Sequence, residues 1–156
     1  VRRQWIDLTQ WSRSVRDLIE PIAEAKPVTL RWSDGALAGQ EWESDPVRLS
    51  QILINLVHNA IKFTPEGRGV EVRFEKQAGR FAVEVLDEGP GLPADSPILF
   101  EAFGRNKTEV AGAEHGAGIG LYVVQTSAEA LGGRVQASNR PGGGACFRVE
   151  WIMEGA

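Results

Sequence analysis

Residues 45–67 read DPVRLSQILINLVHNAIKFTPEG, and the spacing of their apolar and amide side chains decides what kind of domain this is. Leu49, Ile52, Leu53, Leu56, Val57, Ala60 and Ile61 recur with the period of a helix that buries one stripe. Asp45 is placed to cap that helix, Pro46 suits its first turn, and Thr64-Pro65-Glu66-Gly67 stops it. Asn55, Asn59 and Lys62 fall at i, i+4 and i+7, so their side chains stack in a line on another face. Core packing asks for no such line. Taken alone it is equally what a solvated polar face would look like, and two glycine-rich stretches downstream change the weighing.

Upstream of this helix, Trp5, Ile6 and Leu8 read as a short strand with a polar boundary at Asp7 and Thr9. A helix is expected from Gln10 to Ala25, with Trp11, Val15, Leu18, Ile19, Ile22 and Ala23 giving the helical period and Lys26-Pro27 ending it. Val28, Leu30 and Trp32 alternate with Thr29 and Arg31 as a half-buried strand, Ser33-Asp34-Gly35 reads as a turn, and Gln40 to Ser44 as a further short strand.

Downstream, Val70, Val72 and Phe74, then Phe81, Val83 and Val85, alternate as two strands of a hairpin joined through Ala78-Gly79. The second runs into Leu86-Asp87-Glu88-Gly89-Pro90-Gly91, where a carboxylate at a strand end precedes glycines that let a ligand approach the backbone. The irregular stretch from Pro93 to His115 reads as a mobile lid, since long segments of this kind are usually functional or disordered. Gly116-Ala117-Gly118-Ile119-Gly120 then opens an apolar helix carrying Leu121, Val124, Ala128 and Leu131, which Gly132-Gly133 ends. A helix start behind glycines suits phosphate, because free backbone N–H groups and the helix dipole both face the anion. Val135 to Ala137 and Ala145 to Ile152 complete the chain as strands around Asn139-Arg140-Pro141-Gly142-Gly143-Gly144.

The chain of 156 residues is expected to be a single domain spanning residues 1–156, and it opens with Val1-Arg2-Arg3 rather than Met, as a piece of a longer protein would. Its net charge of -4 and interspersed charges give no basic stripe, which argues against nucleic acid as a partner. Cys146 is the only cysteine, so no internal disulfide or zinc cluster can form and a reducing compartment fits. No apolar run approaches the ~18 residues of a membrane span, so no membrane contact by this domain is expected. The glycine motif lacks dinucleotide-binding spacing, no GxxxxGK[ST] occurs, and no G-x-S-x-G marks a nucleophile.

Four stretches, ILINLVHNAIKFTPEG, DEGPG, ILFEAFGR and GAGIGL, stand in the order and rough spacing of the N, first G, F and second G boxes of the sensor histidine kinase catalytic domain. The chain thus resembles the ATP-binding module of the GHKL superfamily over nearly its whole length. The resemblance implies an α+β fold, a two-layer α/β sandwich of the Bergerat type with a mixed sheet on about three helices, and ATP between the amide helix and the lid. It implies that Asn59 ligates Mg2+, for which an amide oxygen is suited, with Asn55 beside the metal and phosphates and Lys62 reaching them as a cation. Asp87 would accept the adenine amino group, Gly89 and Gly91 would let the ring lie on backbone, and Phe63 would flank it. Gly116, Gly118, Gly120 and Leu121 would line the nucleotide, and Arg105 would stabilise charge on the terminal phosphate. Two departures stand out: Glu88 where the family has Asn, and Ala145-Cys146 in place of a threonine near Phe147.

His58 and His115 are the only histidines, and neither has the setting of the family's phosphoacceptor. The expected activity is therefore transfer of the terminal phosphoryl of ATP to a histidine on a separate hairpin of the parent protein, and from there to a response regulator. The domain would be cytoplasmic, within a parent that a membrane anchor elsewhere could tether. The alternative is a degenerate module in which nucleotide or partner binding merely sets shape. A GHKL ATPase of the gyrase kind, or a serine-phosphorylating anti-sigma factor, would carry Glu where Asn55 stands, because an amide cannot act as a base toward water.

Overall fold

Helix α2 (Pro46–Phe63) lies at the centre of the helical layer, packed against its neighbours and against the middle of the sheet. The structure, a computed structural model, describes residues 1–92 and 117–153, apart from the side chains of 117–122. All seven apolar residues expected on the α2 stripe are buried. Asp45 caps its start by accepting from the Val47 and Arg48 amides at 3.0 and 3.2 Å, and also takes the Arg2 amide at 2.8 Å. These N–H groups, that of Arg2 foremost, hold the Asp45 carboxyl below its ordinary value. At the other end, Lys26 Nζ donates to the carbonyls of Ile61 and Lys62 at 2.9 and 2.6 Å, meeting groups that a helix end leaves open.

Before α2 come β1 (Gln4–Asp7), α1 (Leu8–Ala25), β2 (Thr29–Ser33), a 3-10 turn at Gly35–Leu37 and β3 (Glu41–Ser44). After it come β4 (Gly69–Gln77), β5 (Arg80–Asp87), α3 (Ala117–Ala130), β6 (Arg134–Asn139) and β7 (Ala145–Ile152). The main sheet has five strands in the order β2-β4-β5-β7-β6, while β1 and β3 pair as a separate two-stranded ribbon. Only β2 and β4 run parallel among these neighbours, so the sheet is mixed, as expected.

One sheet face carries Val70, Val72, Phe74, Val83, Val85, Phe147 and Val149 into a core shared with the helices. Phe81 is fully buried, stacked on Trp151 at 5.4 Å and edge-on to Trp11 at 6.0 Å. This aromatic cluster fixes one end of β5; Asp87 stands at the other end, about 20 Å away at strand rise. The opposite face is solvated, with Arg148 paired to Glu75 at 3.0 Å and to Glu150 at 2.9 Å.

The N-terminal region needs two corrections. Leu8 opens α1 instead of closing β1, because the exposed Asp7 caps the helix and accepts the Gln10 amide at 3.1 Å. Leu18 and Ile22, expected on the buried stripe, are 63% and 36% exposed. The buried line runs through Leu8, Trp11, Ser12, Val15, Ile19 and Ala23, and positions 18 and 22 lie about 100° around the helix from 19 and 23. Ser12 stays in that line because its hydroxyl accepts from Trp32 Nε1 at 2.7 Å and donates to Asp34 at 3.0 Å.

Candidate functional site

The site grows from the C-terminal half of α2 and the end of β5. Apolar residues hold one side of α2 against the sheet and leave Asn59 half-buried and Lys62 and His58 exposed on other sides. Asn59 Nδ2 is buried and has no hydrogen-bond partner among the described residues, an expense that folded proteins avoid unless a ligand or water completes the group. Asn55, one turn earlier, donates from Nδ2 to the Gln51 carbonyl at 2.8 Å, which keeps its amide on the helix surface. Lys62 Nζ lies 5.6 Å from the centroid of the Phe63 ring.

Asp87 is 5% exposed and closes β5 beside the last turn of α2. Its Oδ1 accepts the Gly89 amide at 2.9 Å and the Ala145 amide at 3.2 Å. Both bonds fall on Oδ1, so among the described residues no donor takes Oδ2. Burial pushes the Asp87 carboxyl above its ordinary value, and the two amides and the Arg140 charge pull the other way. A carboxylate held this way is a hydrogen-bond acceptor aimed and waiting for a donor.

The glycines of the turn are there for contact. A Cβ on Gly89 would lie 2.7 Å from the Phe63 carbonyl oxygen, so the turn after Asp87 sits directly on the end of the amide helix. Gly91, at φ +83°, would bring a Cβ within 2.8 Å of Asn139 Oδ1. Gly144, at φ +90°, packs its backbone against the Asp87 carbonyl so tightly that no side chain fits.

Both departures from the family pattern find a place. Glu88 turns away from Asp87: its Oε1 accepts the Gly69 amide at 2.7 Å, tying the start of β4 to the end of β5. Ala145 supplies its backbone N–H to Asp87 where a hydroxyl side chain is missing. Cys146 points to the other face of the sheet, with Sγ 3.9 Å from Glu84 Oε2, and burial raises its thiol, as expected of a structural cysteine.

Gly118, Gly120 and Leu121 lie in the opening turns of α3, which packs beside α2. Arg105, Gly116, His115 and the lid expected from Pro93 to His115 lie outside the described residues. Two residues of the site went unread in the sequence. Asn139 bonds Leu92 through both atoms of its amide, and Arg140 Nη1 donates to the Asp87 carbonyl at 2.9 Å. The Asn-Arg pair before a glycine run was the one local signal, and it reads as a turn.

A profile of the family described as "Histidine kinase-, DNA gyrase B-, and HSP90-like ATPase" matches residues 44–155. The chain belongs to this family. Within it, the sensor protein CutS of Streptomyces coelicolor is 36% identical over 151 residues, covering 96% of this chain and 36% of that protein. The sensor protein KdpD of Escherichia coli is 30% identical over 157 residues, covering 96% of this chain and 16% of its own length. The chain therefore spans little more than a third of the first relative and less of the second. Among solved structures, a nucleotide-free catalytic domain of the histidine kinase ThkA superposes with a TM-score of 0.80 at 27% identity, over 98% of this chain and 97% of that one. Full-length ShkA in complex with AMPPNP gives a TM-score of 0.75 at 32% identity, over 100% of this chain and 32% of that one. The domain is thus of the sensor histidine kinase catalytic type, and the expected α+β sandwich with three helices on a mixed sheet is the fold observed.

Proposed function

We propose that this domain binds Mg-ATP and passes the terminal phosphoryl group to a histidine on a separate helical hairpin of its parent protein, from which a response regulator takes it. The observation that carries the reading is Asp87: a buried carboxylate with Oδ1 saturated by backbone and Oδ2 left for a donor, next to a glycine turn seated on the amide helix. The exocyclic amine of adenine is such a donor, whereas guanine presents a carbonyl oxygen at that position. The complex of the structurally similar ShkA with AMPPNP supports a nucleotide in this fold.

Asn59 fits a metal role through its side-chain carbonyl oxygen, the hard donor that such an ion prefers, while its buried Nδ2, without a partner among the described residues, is a donor suited to a phosphate oxygen. Among the described residues no group of three His, Cys, Asp or Glu side chains could hold an ion. A Mg2+ here would rest on an amide oxygen and on the phosphates of its substrate, and would neutralise phosphate charge. Lys62 adds a cation toward the phosphates, and Gly116, Gly118, Gly120 and Leu121 are assigned to the nucleotide alongside Phe63, Gly89 and Gly91. Arg105 is assigned to charge stabilisation in transfer.

In the reaction, an unprotonated ring nitrogen of the acceptor histidine attacks the terminal phosphorus. The bond from that phosphorus to the bridging oxygen breaks, and ADP leaves with the electron pair. Asn55 holds no proton-accepting group for water, so ATP persists until the acceptor docks. His58 is fixed on α2 with Asn55 and Asn59, which supports an acceptor on another segment. No helix among the described residues is long and apolar enough to cross a membrane, and the domain is proposed to work in the cytoplasm, where ATP is supplied. Calorimetric titration with a non-hydrolysable ATP analogue tests the binding: saturable heat that depends on Mg2+ is expected, and no heat at millimolar analogue overturns the proposal.

A further inference from the structure

We infer that Asn139 is a positioning residue for base recognition, acting through the backbone of the turn that carries Asp87. The inference rests on the proposed role of Asp87 and adds the reason that carboxylate holds its aim. Asn139 ends β6 and pairs in register with Ala145. Its Oδ1 accepts the Leu92 N–H at 2.7 Å, and its Nδ2 donates to the Leu92 carbonyl at 3.1 Å. Leu92 thus receives from one side chain both bonds that an antiparallel strand partner would give it. Only a carboxamide carries a donor and an acceptor on one planar group, so Asn suits this place where Ser or Asp would supply half.

The turn needs this help. Between Asp87 and Leu92 lie two glycines and a proline, and Gly91 sits at φ +83°. The start of the turn is held by Ala145 N–H on Asp87 Oδ1 and by Arg140 Nη1 on the Asp87 carbonyl, and its middle by Gly89 N–H. Its far end is held by Asn139. The paired ends of β6 and β7, with Arg140 from the loop between them, therefore grip the turn at both ends. Without the Asn139 amide, the glycines are free to carry Gly89 off Asp87 Oδ1, and the carboxylate can turn Oδ2 away from the base. Asn139 itself touches no base.

The prediction is selective. Asn139→Ala should weaken the ATP analogue about five- to tenfold, the loss of two exposed hydrogen bonds at the low end of their range. It should not weaken the corresponding inosine triphosphate analogue, which has a carbonyl in place of the adenine amine and gains nothing from Asp87. Asp87→Asn should collapse the same ATP-to-inosine preference, and the double variant should show no further loss of it. Asn139→Asp, which has the same shape, keeps the acceptor and places a lone pair against the Leu92 carbonyl, so a selective loss is expected there too. Equal weakening of both analogues, an unchanged preference in both Asn139 variants, or losses that add to that of Asp87→Asn would overturn the inference. A preference that Asp87→Asn leaves intact would instead overturn the role given to Asp87, and the inference with it.

Discussion

Replacing Asp87 by Asn changes one oxygen for an amide nitrogen and leaves shape and volume alone. The Gly89 and Ala145 amides, at 2.9 and 3.2 Å from Oδ1, will keep the remaining oxygen facing them, because two donors cannot face a third. The new NH2 group must then point where Oδ2 pointed, toward the place proposed for the adenine amine, and donor would meet donor. A hydrogen bond to a charged group contributes about 1.5–3 kcal/mol, so the ATP analogue should bind about 10- to 150-fold more weakly. The fold should not suffer: burial raises the Asp87 carboxyl above its ordinary value, so the charged form is held at a cost the amide avoids. Apo melting temperature near pH 7 is expected to be equal or higher in the variant. The pH dependence has opposite signs for folding and binding. A raised carboxyl favours the fold below its ordinary value near 3.8 and loses that advantage as pH rises through the raised one. The proposed contact with adenine uses the ionised form, so affinity should fall as pH drops through the raised value, and Asp87→Asn should lack that slope. Calorimetry across pH measures both. Unchanged affinity with an intact pH slope in the variant would refute the reasoning.

Asn59→Ala should lower affinity for the ATP analogue about 10- to 100-fold with Mg2+, on the scale of losing a metal-supporting group, while in EDTA the loss should be smaller; equal loss in both buffers would remove Asn59 from the ion. Asp45→Ala should cost about 1 kcal/mol of stability as a lost helix cap. Because amides hold the Asp45 carboxyl low, its contribution is present above pH 3.8 and lost as pH falls through the lowered value, so thermal melts of the variant should be less sensitive to acid. Gly144→Ala forces a Cβ into the Asp87 carbonyl and should cost about 2–4 kcal/mol, against about 1–2 for Gly142→Ala, where only the positive φ opposes it. Similar melting temperatures for the two alanine variants would show that the Asp87 contact is slack.

What the sequence showed and hid follows from distance along the chain. The α2 stripe, its cap and its amide line repeat within a few residues, and all of it was legible from periodicity. The strand alternations at Val70–Phe74 and Phe81–Val85 were legible for the same reason. The outward turn of Leu18 was not, since a run of apolar residues around α1 says nothing of which hundred degrees the sheet will cover. Nor was the clamp: Asn139 and Leu92 are 47 residues apart, and Arg140 and Asp87 are 53 apart. Their meeting depends on β7 pairing with both β5 and β6, which no local pattern encodes. Glu88 looked like a flaw in the family pattern. The pairing of Val70 with Asp87 brings Gly69 beside it and gives its carboxylate a donor.

The most direct test of the central claim mixes this domain with the histidine hairpin proposed for its parent protein and ATP labelled at the terminal phosphate. Acid-labile, base-stable label on the hairpin, none on this domain alone, and loss of labelling with Asp87→Asn are predicted. Label on the isolated domain, or an unlabelled hairpin despite demonstrated ATP binding, would contradict the claim.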